Sequence, residues 1–179
     1  MVRHLQIHLI QHHRISLPSF AAVLILIGFA LLQAAAAAAG PLSSRPGWAV
    51  HPTTKPYAQL IRDVITATKA QGLVVVTQAG PTKAAAARGI TIPGNRVIGV
   101  FNNDYAVRVL RRSTAAMIEA PIRLYVTEDE NGDATLSYKT AQNVFAPYLA
   151  DGGQELADIA IELDQHLDAI AQNAVRSAP

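Results

Sequence analysis

The sequence predicts a two-layer α+β fold, with helices packed on one face of a small, mostly antiparallel sheet, preceded by an N-terminal hydrophobic export helix. Three observations carry this. Residues 55–70 and 154–175 each repeat apolar side chains at i, i+3, i+4 spacing beside a charged face. Between them lie four short runs rich in β-branched and aromatic residues, bounded by Gly, Pro and Asn. The last two runs flank Glu130-Asn131-Gly132, a hairpin turn sequence, so neighbouring strands run antiparallel.

The chain opens with an address. Residues 20–32 read FAAVLILIGFALL without a charge; Gln33 follows, and residues 34–39 are all alanine. Arg3, Arg14 and four histidines precede them. A basic stretch, an apolar stretch and a small-residue exit make a secretory signal, with A-x-A cleavage sites at 35–37 and 37–39. Residues 20–39 also reach about 30 Å as a helix, the span of an uncleaved anchor. The short strongly apolar core favours cleavage of residues 1–39. Under either reading the rest of the chain is expected outside the cytoplasm, periplasmic or extracellular, or tethered to the inner membrane only through residues 20–39.

Residues 40–54, with Pro41, Pro46, Pro52 and Trp48, read as a proline-rich linker, and residues 55–175 as one α+β domain. The first helix, 55–70, turns Tyr57, Leu60, Ile61, Val64, Ile65 and Thr68 inward; Thr53 or Thr54 is its expected cap and Gly72 its C-terminal stop. Strand 73–77, an alanine-rich helix 82–88 closed by Gly89, and strand 96–101 follow. Helix 105–112 is expected to turn Val107, Leu110 and Met117 inward. Strands 121–128 and 134–140 form the hairpin. A three-residue loop ending at Gly132 sets Leu124 across from Tyr138 and Val126 across from Leu136, whereas a two-residue loop would oppose Leu124 to Lys139. Only the first register keeps apolar residues on one face. The last helix buries Leu156, Ile159, Ala160, Leu163, Leu167, Ile170, Ala171 and Ala174, and its other face carries Glu155, Asp158, Glu162, Asp164 and Asp168.

Composition excludes several functions. With no cysteine, there is no disulfide framework, thiol nucleophile, cysteine-ligated metal or lipoprotein anchor. The chain has 15 basic and 13 acidic residues, and Arg3 and Arg14 lie in the export segment, so the remainder balances at 13 of each. No nucleic-acid partner is expected. His4, His8 and His12 also lie in that segment, leaving His51 and His166. Glu162 and His166 sit at i, i+4, but no second pair completes a metal site, so neither metal nor cofactor is expected. The acidic hairpin tip fails as a calcium loop: counted from Asp129, its glycine is fourth and its twelfth residue is Thr140. Residues 83–123 hold seven basic and two acidic side chains, and residues 124–179 two basic and ten acidic. These halves are expected to neutralise each other across the fold or across a dimer, with Arg108, Arg111 and Arg112 as the alternative anion patch. No G-x-S-x-G, P-loop, G-x-G-x-x-G or H-E-x-x-H motif occurs.

Arg96-Val-Ile-Gly-Val-Phe-Asn102, Glu119-Ala-Pro-Ile-Arg-Leu-Tyr-Val126, the Asn-Gly turn and Ala134-Thr-Leu-Ser-Tyr138 together resemble the bacterial and archaeal family known as domain of unknown function 302. The resemblance covers residues 55–175 and implies a compact α+β domain, often a homodimer, without an established activity. Gly80-Pro81-Thr82 holds no histidine where family members often carry one ahead of the alanine-rich helix. The reading is therefore a non-enzymatic module that binds a small ligand or an envelope protein. Its site is expected at strand ends, around Asn102, Asn103, Arg123 and Tyr125, whose amide, guanidinium and phenol groups can orient a polar ligand. The alternatives are a carboxylate-dependent hydrolase of the cell envelope and a purely structural envelope protein.

Overall fold

A computed structural model describes residues 42–176, and the expected export segment lies outside them. Among the described residues no helix is long and apolar enough to cross a membrane. The elements run β1 (Trp48–Pro56), α1 (Tyr57–Ala70), β2 (Val74–Ala79), α2 (Thr82–Ala86), β3 (Asn95–Phe101), α3 (Asn103–Arg112), a 3₁₀ turn (Ala115–Glu119), β4 (Ile122–Glu128), β5 (Asp133–Lys139), α4 (Ala141–Phe145) and α5 (Leu149–Val175). The strands form one antiparallel sheet in the order β1-β5-β4-β3-β2, and the fold is α+β.

The hairpin adopts the register that alternation demands: Leu124 lies across from Tyr138 and Val126 across from Leu136. Gly132 takes φ +86°, a left-handed conformation open to glycine. The Asp129 carboxylate accepts from the amides of Asn131 (2.9 Å) and Asp133 (3.0 Å), so the acidic tip is an Asx turn. Alternation then carries Leu124, Val126, Leu136, Tyr138, Ile98 and Val100 to the helix-covered face, each at most 3% exposed. Leu60 and Val64 of α1 and all eight stripe residues of α5 meet them there. Within α5, Gly153 breaks the helix at φ 60°, ψ −158°, so the regular segment starts near Gln154.

The linker reading of residues 40–54 is corrected. Residues 48–54 belong to β1, an edge strand paired with β5 from Trp48↔Lys139 to Pro52↔Thr135. Proline is tolerated there because an edge strand leaves half its N–H groups without a ladder partner. A bulge between Pro52 and Pro56 lets the Thr53 hydroxyl donate to Ala134 O at 2.7 Å, in place of a backbone donor. Thr53 and Thr54 are thereby strand residues, and α1 starts after Pro56 without a side-chain cap. The opposite edge, β2, contains neither proline nor charge, and Val74 and Val76 are about half exposed there.

In α3 the inward residue is Val109, at 3% exposure, while Val107 and Leu110 are 39% and 50% exposed. The Asn102 side chain starts the helix by accepting from the amides of Asp104 and Tyr105, and this start sets the phase. That phase turns Arg108 and Arg112 toward α5, where Arg108 grips Glu162 at 2.6 and 2.8 Å and Arg112 meets Glu155 at 2.8 Å. Two ion pairs thus join the basic and acidic halves within the fold. Asp164 accepts from the first amides of α4, those of Ala141 and Gln142, while Asp158 and Asp168 accept from Gln154 and Gln172.

Leu124→Ala, at a fully buried central position, is expected to lower unfolding free energy by about 3 kcal/mol in urea titration. Hydrogen bonds from the Arg108 guanidinium hold the Glu162 carboxyl below its ordinary 4.5. A depressed carboxyl stabilises the fold above its unfolded value and loses that contribution as pH falls through its folded value. Glu162→Gln should therefore unfold at lower urea than wild type at pH 7, and the gap should close below about pH 4.5.

Candidate functional site

Alternation leaves the second sheet face to Asn95, Val97 and Gly99 of β3, Arg123, Tyr125 and Thr127 of β4, Thr135, Ser137 and Lys139 of β5, and Trp48 and Val50 of β1. Lateral pairing arranges these side chains in rows. One row runs Val97–Tyr125–Ser137–Val50 through the pairs Val97↔Tyr125, Tyr125↔Ser137 and Val50↔Ser137. The next runs Gly99–Arg123–Lys139–Trp48: Gly99 pairs with Arg123 and Trp48 with Lys139, and the step beyond Leu124↔Tyr138 sets Arg123 across from Lys139. Gly99 is required in this row. A Cβ there would run into the Thr77 hydroxyl and come within 2.8 Å of the Pro121 ring.

Over these rows lies a cleft of about 400 Å³ lined by Trp48, Asn95, Val97, Glu119, Ile122, Arg123, Tyr125, Tyr138, Lys139 and Val144. Its walls are mainly apolar and its polar groups few, the make-up of a small-molecule site. Asn95 Nδ2 donates to the Tyr125 hydroxyl, so that bond does not use the phenol hydrogen. Glu119 accepts from Arg123 at 3.3 Å and from the Tyr148 hydroxyl at 2.8 Å, so both carboxylate oxygens are engaged. The Lys139 ammonium stands 5.9 Å from the centre of the Trp48 ring, and the Arg45 guanidinium 5.4 Å. Lys139 has no acidic partner among the described residues. Burial pushes the Tyr138 hydroxyl far above its ordinary range, which keeps it protonated.

Other hollows lack this combination. An apolar void of about 40 Å³ between α3 and the sheet is too small for an organic ligand. The groove of about 440 Å³ between α1 and the end of α5 has its charges satisfied, with Lys55 donating to Asp63 and to Ala174 O, both at 2.7 Å. The hollow beside Arg108, Arg111 and Arg112 holds the ion pairs with Glu155 and Glu162. At the Glu162–His166 pair, Glu162 is held by Arg108, and His166 Nδ1 lies 3.3 Å from Gln71 Oε1. Among the described residues no three His, Asp or Glu side chains converge at metal-binding distance.

Two of the four expected ligand residues, Arg123 and Tyr125, come together in the cleft. Asn102 and Asn103 do not. Asn102 caps α3 and donates to Gly72 O at 3.1 Å, and Asn103 opens that helix on the surface. Sequence reasoning missed Trp48, Asn95, Glu119 and Lys139. Lys139 was within reach, because the register that sets Leu124 against Tyr138 also sets Arg123 against Lys139.

Comparison with known proteins agrees with this architecture. No curated protein matches the chain. The crystal structure of an uncharacterized conserved protein, DUF302, from Bacillus stearothermophilus superimposes with a TM-score of 0.65 at 18% identity, covering 74% of this chain and 100% of that one. At that identity the likeness speaks for the fold. The family model described as Domain of unknown function DUF302 matches residues 49–174, and the chain belongs to that family.

Proposed function

We propose that the protein is an exported, non-enzymatic module that binds a small ligand in the cleft between Trp48 and Tyr125. The observation that carries this reading is the convergence of aromatic rings, an unpaired lysine and a phenol hydroxyl over one cavity of about 400 Å³. Export rests on residues 1–39, with their basic start, apolar stretch and A-x-A sites. The hydrolase alternative finds little support, since a carboxylate mechanism needs two convergent acids and the cleft lining contains Glu119 alone, already engaged. Docking through the acidic helix is disfavoured because each carboxylate on that face already has a partner within the chain.

Trp48 is the chain's single tryptophan, so its emission reports on the cleft directly. Titrating small aromatic and sugar fragments should give a saturable change in Trp48 emission for at least one chemical class. Silence of every fragment up to about 10 mM, an affinity of roughly −3 kcal/mol, defeats the reading. Arg123→Thr should change the unfolding free energy in urea titration by no more than about 0.5 kcal/mol, because it removes only an exposed ion pair with Glu119. A loss above about 1 kcal/mol makes Arg123 a structural residue instead.

A further inference from the structure

We infer that the cleft takes an organic anion: a compact oxyanion seated between Arg123 and Lys139, carried on a flat apolar body that lies against Trp48 and Tyr125. This inference rests on the cleft being the ligand site and names the chemistry of its occupant. The cleft carries a local conflict of charge. Arg123 and Lys139 both line the cleft, one step beyond the Leu124↔Tyr138 pair, so two like charges share one face there. Arg108, Arg112, Lys55 and Arg123 each have an acidic partner, in Glu162, Glu155, Asp63 and Glu119, and Lys139 has none among the described residues. Such a departure from local consistency is expected where a ligand completes the site.

Cationic donors outnumber acids at the rim. Arg45, Arg123 and Lys139 surround the Trp48 end against one acid, Glu119. Each Glu119 oxygen already accepts one hydrogen bond, one of them from Arg123, so the single acid of the rim is partly neutralised. The charged groups left over are donors, the Lys139 ammonium and the Arg123 N–H groups not directed at Glu119. A carboxylate or phosphate oxygen pair suits the planar guanidinium fork, with the ammonium as a point charge beside it. The apolar remainder of the lining, Val97, Ile122, Val144 and the two rings, suits a flat hydrophobic body rather than a bare ion.

The test uses Trp48 emission in the full chain with benzoate, phenyl phosphate, inorganic phosphate, neutral benzamide and cationic benzylamine. At ~20 mM salt, benzoate or phenyl phosphate should bind at least about tenfold more tightly than benzamide, and that advantage should shrink at ~200 mM salt. The tighter of the two identifies the headgroup as carboxylate or phosphate. Lys139→Gln and Arg123→Gln, each checked for an unchanged urea midpoint, should each cost the anionic probe about tenfold and leave benzamide unaffected. Equal binding of benzamide or benzylamine and benzoate overturns the anion assignment while the cleft stands. Equal binding of inorganic and phenyl phosphate overturns the flat body. A variant that weakens benzamide as much as benzoate overturns the charged seat, and silence of all five probes overturns the cleft itself.

Discussion

The pairing of Leu124 with Tyr138 and Val126 with Leu136 decides both surfaces of the sheet at once. Side chains alternate with a period of two, so the register that delivers four apolar residues to the helices also delivers Arg123, Tyr125 and Lys139 to the other side. A slip of one residue would turn Arg123 toward the core, where an unpaired guanidinium is very costly. Core and cleft are therefore one solution, pinned by Gly132 and the Asp129 Asx turn at the hairpin tip.

Charge distribution follows from the same frame. The acid-rich helix α5 would be a strongly negative surface if its carboxylates stood free. Instead Glu155 and Glu162 hold α3, and Asp164 accepts from the first amides of α4, beside its Thr140 cap. The acids thus fasten the helical layer together, while Lys139 lies on the far side of the sheet without an acidic partner among the described residues. Asp164 shows how little of this is local: it reaches back across 23 residues of sequence to hold the start of a helix only five residues long.

Long periodic elements were legible in the sequence. All eight α5 stripe residues are buried, and the hairpin register follows from asking which loop length keeps one face apolar. Strand β1 was not legible, because Pro52 and Pro56 mimic a linker and the strand is stabilised by its edge pairing with β5 rather than by a pattern of its own. The inward face of α3 was misjudged for a related reason: hydrophobicity pointed to Val107 and Leu110, whereas the Asn102 cap and the Arg108–Glu162 clamp set the phase. The cleft was half legible. Arg123 and Tyr125 share one strand, but Trp48, Asn95 and Lys139 arrive from three others, and only β5 could be aligned to β4 beforehand. Asn102 spends its side chain on the backbone around it, and Asn103 opens α3 on the surface.

The proline-bearing outer strand has a consequence for self-assembly. A sheet able to accept strands at both edges can stack end on end without limit, the geometry of a growing fibril. Here the bulge and prolines of β1 close one end, while β2 keeps a bare backbone edge flanked by exposed Val74 and Val76. A sheet with a single open end can join only one other through that end, and the resulting unit presents two closed ends to its surroundings. An edge-to-edge pair formed through β2 would thus be self-terminating, a useful property for a chain held together without disulfides.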